Sequence, residues 1–122
     1  MKLSILVPVF NEEKTAISVL KRIHETKTSD TDYEIIVIND GSTDNTKTLL
    51  ENDSELYNFL INNTRNSGKG FSVKQGLKKA SGEYVIFQDA DLEYDPIEFK
   101  KFINVFKKFN ADVVLGSRFN YS

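Results

Sequence analysis

The sequence predicts an α/β fold, a mostly parallel sheet with helices on both faces. Two observations carry that prediction. Short β-rich runs alternate with helical ones from end to end, and the strand-like runs are nearly continuous in Val, Ile and Leu. Strands buried on both faces read in this way, because crossover helices cover the sheet above and below.

Each element follows in order. "KLSILVPVF" reads as a buried strand, and "NEEKTAISVLKRIHET" as a helix with Ala16, Leu20 and Ile23 on one stripe. Asn11 is placed to cap that helix, and Glu12 and Glu13 favour its positive end. "YEIIVIND" is the second strand, and "GSTDNTKTLLEN" opens a helix with Ser42, Thr43 and Asp44 available as caps. "YNFLIN" is the third strand. "GKGFSVKQGLKKA" carries Val73, Leu77 and Ala80 at helical spacing, with Ser81 and Gly82 as its stop. "EYVIFQDA" is the fourth strand. "DPIEFKKFINVFKKF" predicts a helix starting at Pro96 and facing inward through Phe99, Phe102, Ile103 and Phe106, and "ADVVLGSRF" a fifth strand. Together these make one Rossmann-like layer over residues 1–122, with no internal repeat and no linker.

Composition narrows the function. The 122 residues suffice for a single core, and a net charge of -2 provides no field to recruit nucleic acid. Cys is absent, which removes disulfides, thiolate metal sites and Cys nucleophiles, and the single histidine, His24, lies mid-helix in a structural position. The apolar start is cut off by Pro8 and Asn11, too early for a secretory signal, and no run approaches a membrane span. The expectation is a soluble, cytoplasmic chain.

In such a sheet right-handed crossovers bring the C-terminal ends of the strands to one edge, where ligands collect. That edge receives residues 10–12, 39–44, 62–70, 89–93 and 116–119. Asp89 and Asp91 are spaced so that both carboxylates can turn to one side of a strand end, which suits Mg²⁺ or Mn²⁺ held through few protein ligands. A solvated acidic turn is the alternative, and it suffices for Asp95 as a cap ahead of Pro96. Asp40 precedes the caps of the second helix and faces the same crevice, where a carboxylate can accept hydrogen bonds from a base or ribose. "NSGKGFS" offers glycines and a lysine at a helix start but is not a P-loop, and a flexible loop explains it equally well. Arg118 can clamp a phosphate or pair with a surface acid. The Lys100–Lys101 and Lys107–Lys108 pairs read as a solvated helix face, with a membrane-binding face as the alternative.

Five segments in fixed order, "ILVPVFNEE", "VINDGSTDNT", "NSGKGFSVKQG", "SGEYVIFQDADLEYDP" and "ADVVLGSRF", resemble the inverting family 2 glycosyltransferases with a GT-A fold. Within that family the chain is most similar to polyprenyl- or dolichyl-phosphate sugar transferases. The resemblance implies that Pro8, Phe10 and Glu12 line a nucleoside pocket, that Asp40 contacts base or ribose, and that Gly68, Lys69 and Gly70 close over the donor. It implies that Asp89 and Asp91 are the catalytic metal ligands of a D-x-D motif. Glu93 falls where relatives place a further metal-contacting side chain, often an amide, so its carboxylate departs from the pattern. Arg118 matches an arginine that reaches toward phosphate, and Asn39 stands where many relatives carry a second aspartate. Family catalytic domains continue past "GSRF", so the resemblance covers the N-terminal, donor-binding portion.

The implied activity is inverting transfer of a sugar from a UDP- or GDP-sugar to an acceptor, with Mn²⁺ or Mg²⁺ as cofactor and a polyprenyl phosphate as the expected acceptor. An anionic acceptor needs no strong general base, which fits a chain with one histidine; a sugar hydroxyl acceptor is the alternative. The resemblance also implies peripheral membrane contact. An open flank near residues 119–122 predicts self-association. Two other classes stand beside this one: a non-catalytic nucleotide- or metal-binding module, and a phospho-receiver domain of similar length and acidic crevice. The receiver requires an acidic pair just after the first strand, whereas "VPVFNEE" has its two glutamates at an expected helix start.

Overall fold

The computed structural model describes residues 1–90 and the backbone of residues 113–114. The expected helix from Pro96, together with Asp91, Glu93, Asp95, Arg118 and the flank at 119–122, lies outside the described residues.

Strands β1 (Lys2–Val9) and β2 (Asp32–Asn39) run parallel in full register, from Lys2 opposite Asp32 to Val9 opposite Asn39. They are the centre of the sheet, and all but the first residue of each is buried. That burial on both faces explains their unbroken apolar sequence. Strand β3 (Phe59–Asn62) pairs with β2, β4 (Tyr84–Phe87) with β1, and β5 (Val113–Val114) with β4, all parallel. The order across the sheet is β3-β2-β1-β4-β5. A phospho-receiver would place its second strand at the edge in a 2-1-3-4-5 order, so the strand order argues against that alternative.

Helices α1 (Ala16–Glu25) and α2 (Thr46–Asn52) cover one face, and α3 (Lys69–Lys79) the other. Leu3, Ile5, Val7 and Val9 pack with Ala16, Val19, Leu20 and Ile23 of α1 and Leu50 of α2. Each fully buried Val, Leu or Ile side chain there contributes about 1.5–3 kcal/mol. Among the described residues, the buried apolar side chains of the other face are Leu6, Ile36 and Ile38.

Three local expectations are corrected. Helix α1 begins at Ala16, not near Asn11, and Asn11 takes a left-handed backbone (φ 51) while its side chain crosses to the β2–α2 loop. Glu13 likewise reaches that loop, its carboxylate accepting the Asn45 N–H at 3.2 Å, so neither glutamate lies in the first turn of α1. The stripe Val73, Leu77 and Ala80 is not the buried face of α3. Leu77 is 43% exposed, whereas Ser72 and Gly76 are buried. A Cβ on Gly76 would sit 2.9 Å from Ile38 Cδ1 and 3.0 Å from Leu6 Cδ1, so the glycine lets the helix lie close on the sheet. His24 is structural as expected, its Nε2 2.9 Å from the Leu56 carbonyl oxygen.

At the N-terminal end of the sheet, Glu34 is buried and accepts hydrogen bonds from the Ser4 hydroxyl (2.8 Å), the Ser81 N–H (2.8 Å) and the Ser81 hydroxyl (2.7 Å). Lys2 Nζ stands 3.4 Å away. This cluster fastens the entry of β4 to the two central strands, far from the strand C-termini.

Candidate functional site

The strand C-termini surround a cavity of about 300 Å³. It lies where the strand order reverses across the sheet: α1 leads from β1 to β2 on one side, and α3 returns to β4 on the other. Open α/β sheets form a crevice at that point. Its walls come from Pro8, Val9, Phe10 and Glu12 after β1, Asp40 after β2, Asn66, Gly68, Lys69 and Ser72 around the start of α3, and Asp89 and Ala90 after β4.

The loops that build it are tied together by side chains. The Asn11 side-chain oxygen accepts the N–H groups of Thr43 (2.8 Å) and Asp44 (3.3 Å), and the Asn11 N–H donates to the Ser42 hydroxyl (3.0 Å). Asp44 in turn accepts the Thr46 N–H at 2.9 Å, which satisfies an otherwise unpaired donor at the start of α2. The Glu12 N–H donates to the buried Thr46 hydroxyl at 3.0 Å. Gly41 adopts φ 72, and a Cβ there would meet the Arg65 carbonyl carbon at 2.3 Å and the Asn66 nitrogen at 2.4 Å. Only glycine admits the β3–α3 loop so close to the end of β2.

Asp40 is the hub of that contact. Its Oδ1 accepts from Asn63 Nδ2 (2.8 Å) and the Ser67 N–H (2.9 Å), and its Oδ2 accepts the Gly68 N–H (2.8 Å). Burial would raise the carboxyl's pKa, but these donors together with Ser72 outweigh it and hold the group below its ordinary value. A carboxylate is therefore present at neutral pH, and it orients the residues that precede Lys69.

Asp89 leaves β4 with its side chain 17% exposed, and Lys69 Nζ lies 2.6 Å from its Oδ1. The next residue is anchored: the Thr15 hydroxyl donates to the Ala90 carbonyl at 2.6 Å. Thus α1 fixes the turn that presents Asp89.

Of the residues read from the sequence, the structure brings Pro8, Phe10, Glu12, Asp40, Gly68, Lys69 and Asp89 around one cavity. Gly70 sits in the first turn of α3 and does not line it. Val9, Asn66, Ser72 and Ala90 also line it, and Thr15 braces it, without having been singled out in the sequence. For Ser72 a signal exists, since residues three apart on a helix share a face and Lys69 precedes it by three. Among the described residues no group of three or more His, Asp or Glu side chains is arranged to hold a metal ion. Asp89 supplies one hard oxygen donor of the kind Mg²⁺ and Mn²⁺ take, and in this structure the Lys69 ammonium lies against it. No helix among the described residues is long and apolar enough to cross a membrane.

Comparison with known proteins agrees with this architecture. The glycosyl transferase family 2 model matches residues 4–122. Dolichol-phosphate mannosyltransferase of Pyrococcus furiosus is 32% identical over 120 residues, covering 98% of this chain and 34% of that protein. Among solved structures, S. aureus TarS 1-349 in complex with UDP-GlcNAc is similar at a TM-score of 0.73 and 33% identity, over 87% of this chain and 31% of the other. The mannosyltransferase PcManGT from Pyrobaculum calidifontis, in complex with GDP-Man and Mn²⁺, gives a TM-score of 0.65 and 30% identity, over 73% and 27% of the two chains. The chain spans half or less of the length of the curated relatives it matches. With the parallel sheet, the cavity at its strand ends and a match running from residue 4 to residue 122, the chain belongs to glycosyl transferase family 2 and has the GT-A fold.

Proposed function

We propose that the cavity binds a nucleotide-diphospho-sugar and that the protein transfers the sugar, with inversion, to an acceptor, a polyprenyl phosphate by preference. The observation that carries this reading is convergence. Seven residues named from separate stretches of sequence, Pro8 to Asp89, line one cavity at the switch point of the sheet. Relatives named as lipid-phosphate sugar transferases and neighbours solved with UDP-GlcNAc or GDP-Man support the donor and acceptor classes.

In this reading the half-exposed Phe10 offers an aromatic edge to the base, while Pro8 and Val9 form the apolar floor. Asp40 holds the Ser67–Gly68 backbone in place, and its remaining acceptor capacity faces the nucleoside. Lys69 and the start of α3 meet the diphosphate. Asp89, with Asp91 and Glu93, would hold a divalent cation, which when bound supplies charge neutralisation for the departing diphosphate. Arg118 would assist on phosphate. A phosphate acceptor arrives already ionised, so no histidine base is required of this chain. Peripheral contact with a lipid surface follows from such an acceptor.

The test is incubation with UDP- and GDP-sugars and a short-chain polyprenyl phosphate, with Mn²⁺ present or chelated. Sugar-lipid product that needs the metal supports the reading. Calorimetric binding of donor without any turnover would select the non-catalytic module instead.

A further inference from the structure

The contact between Lys69 and Asp89 has a consequence beyond donor binding, although it rests on the donor reading. Lys69 is the first residue of α3, and that first turn contains no acidic residue. A lysine is a poor choice at a helix N-terminus, where the macrodipole already leaves positive partial charge. Its compensation comes from across the cavity, from Asp89 at 2.6 Å. The two ends differ in freedom. The Asp89 side chain is 17% exposed on an anchored turn, whereas the Lys69 side chain is 51% exposed on a flexible four-carbon stem.

We propose that Lys69 is a built-in counter-ion for Asp89, which must be drawn off before this carboxylate takes a divalent cation. An ammonium against Oδ1 and a cation ligated by the same carboxylate would face each other at short range with like charge. The arriving diphosphate resolves the conflict. It offers Lys69 a better anion within the same cavity, and the Oδ1 that Lys69 holds becomes available to the metal. Diphosphate and cation therefore bind cooperatively, and by linkage each raises the affinity of the other by the same factor. With Lys69 on Asp89, the cavity also presents less uncompensated charge between turnovers. Lys69 is in this respect a positioning residue for the metal site.

The test uses Mn²⁺ alone, followed by electron paramagnetic resonance of the free ion, on the parent, Lys69→Met and Lys69→Arg. Removing a half-exposed partner from an ion pair is expected to tighten Mn²⁺ binding in Lys69→Met about fivefold. Lys69→Arg should stay near the parent. The added affinity should vanish in Lys69→Met/Asp89→Asn. Lys69→Gln is the companion variant should the apolar replacement perturb folding, and the same rise is expected of it. The second arm titrates UDP and GDP with and without Mn²⁺, and the metal's enhancement of nucleotide affinity should shrink in Lys69→Met. Equal or weaker Mn²⁺ binding by Lys69→Met and Lys69→Gln overturns the proposal. Because the first arm contains no nucleotide, that failure differs from failure of the donor reading, which would appear as a parent protein binding neither UDP nor GDP.

Discussion

A carboxylate that is 4% exposed and already accepts from Asn63, Ser67 and Gly68 has two tasks open to it, shaping the loop and touching a ligand. Replacement of Asp40 by Asn separates them. The amide keeps the shape but turns one acceptor into a donor that faces an N–H, and a buried mismatch of this kind costs about 1–3 kcal/mol. We expect Asp40→Asn to lower the unfolding free energy by that amount in urea melts and to weaken uridine or guanosine binding at the same time. Weakened binding with unchanged stability would make ligand contact its whole role. The sequence carried half of this. Its position after a strand marked Asp40 for the crevice, but its partners lie 23 to 28 residues further on, in a loop whose path no local pattern specifies. Lys69 and Asp89 were each legible at a strand or helix end, and their pairing was not, for the same reason.

Elements with one dominant period were legible, and those shaped by close approach were not. The unbroken apolar runs of β1 and β2 could be read as buried strands of a parallel sheet, since both faces are covered. Helix α3 misled because its inward positions are Ser72 and Gly76, residues with no hydrophobic signal, chosen for closeness to Leu6 and Ile38. The start of α1 misled because Asn11, Glu12 and Glu13 have the look of a cap yet lace the first loop to the second. Gly41 shows what that lacing requires. Gly41→Ala brings a Cβ within 2.3 Å of the Arg65 backbone and strains a positive φ, so the loop must move. The expected result is a loss of about 2 kcal/mol or more, with faster amide exchange at Ser67 and Gly68. Wild-type protection at those amides would contradict the tight approach.

At the scale of the whole molecule, the Glu34 cluster and the strand-end cavity occupy opposite ends of the sheet. Burial alone would raise the Glu34 carboxyl, but the Ser81 N–H and hydroxyl, Ser4 and Lys2 overcome it and bring the group from 4.5 down to about 2. Its stabilisation is complete above pH 4.5 and is lost as pH falls toward 2, in the same direction as the lowered carboxyls of Asp40 and Asp44. Urea midpoints should thus be flat near neutrality and fall steeply below about pH 4.5. Glu34→Gln should be less stable at pH 7 by about 1–3 kcal/mol and show a shallower acid slope, with nucleotide affinity unchanged because the cluster is remote from the cavity. The strand-end cavity in turn stands or falls as a donor site on the metal response of Asp89. The most direct measurement is calorimetric titration of UDP and GDP, with and without Mn²⁺, into the parent and Asp89→Asn. Micromolar to millimolar binding strengthened by Mn²⁺ in the parent, with that strengthening lost in the variant and uridine or guanosine binding retained, is the predicted result. A parent that binds neither nucleotide, or an Asp89→Asn variant with the parent's full metal response, would contradict it.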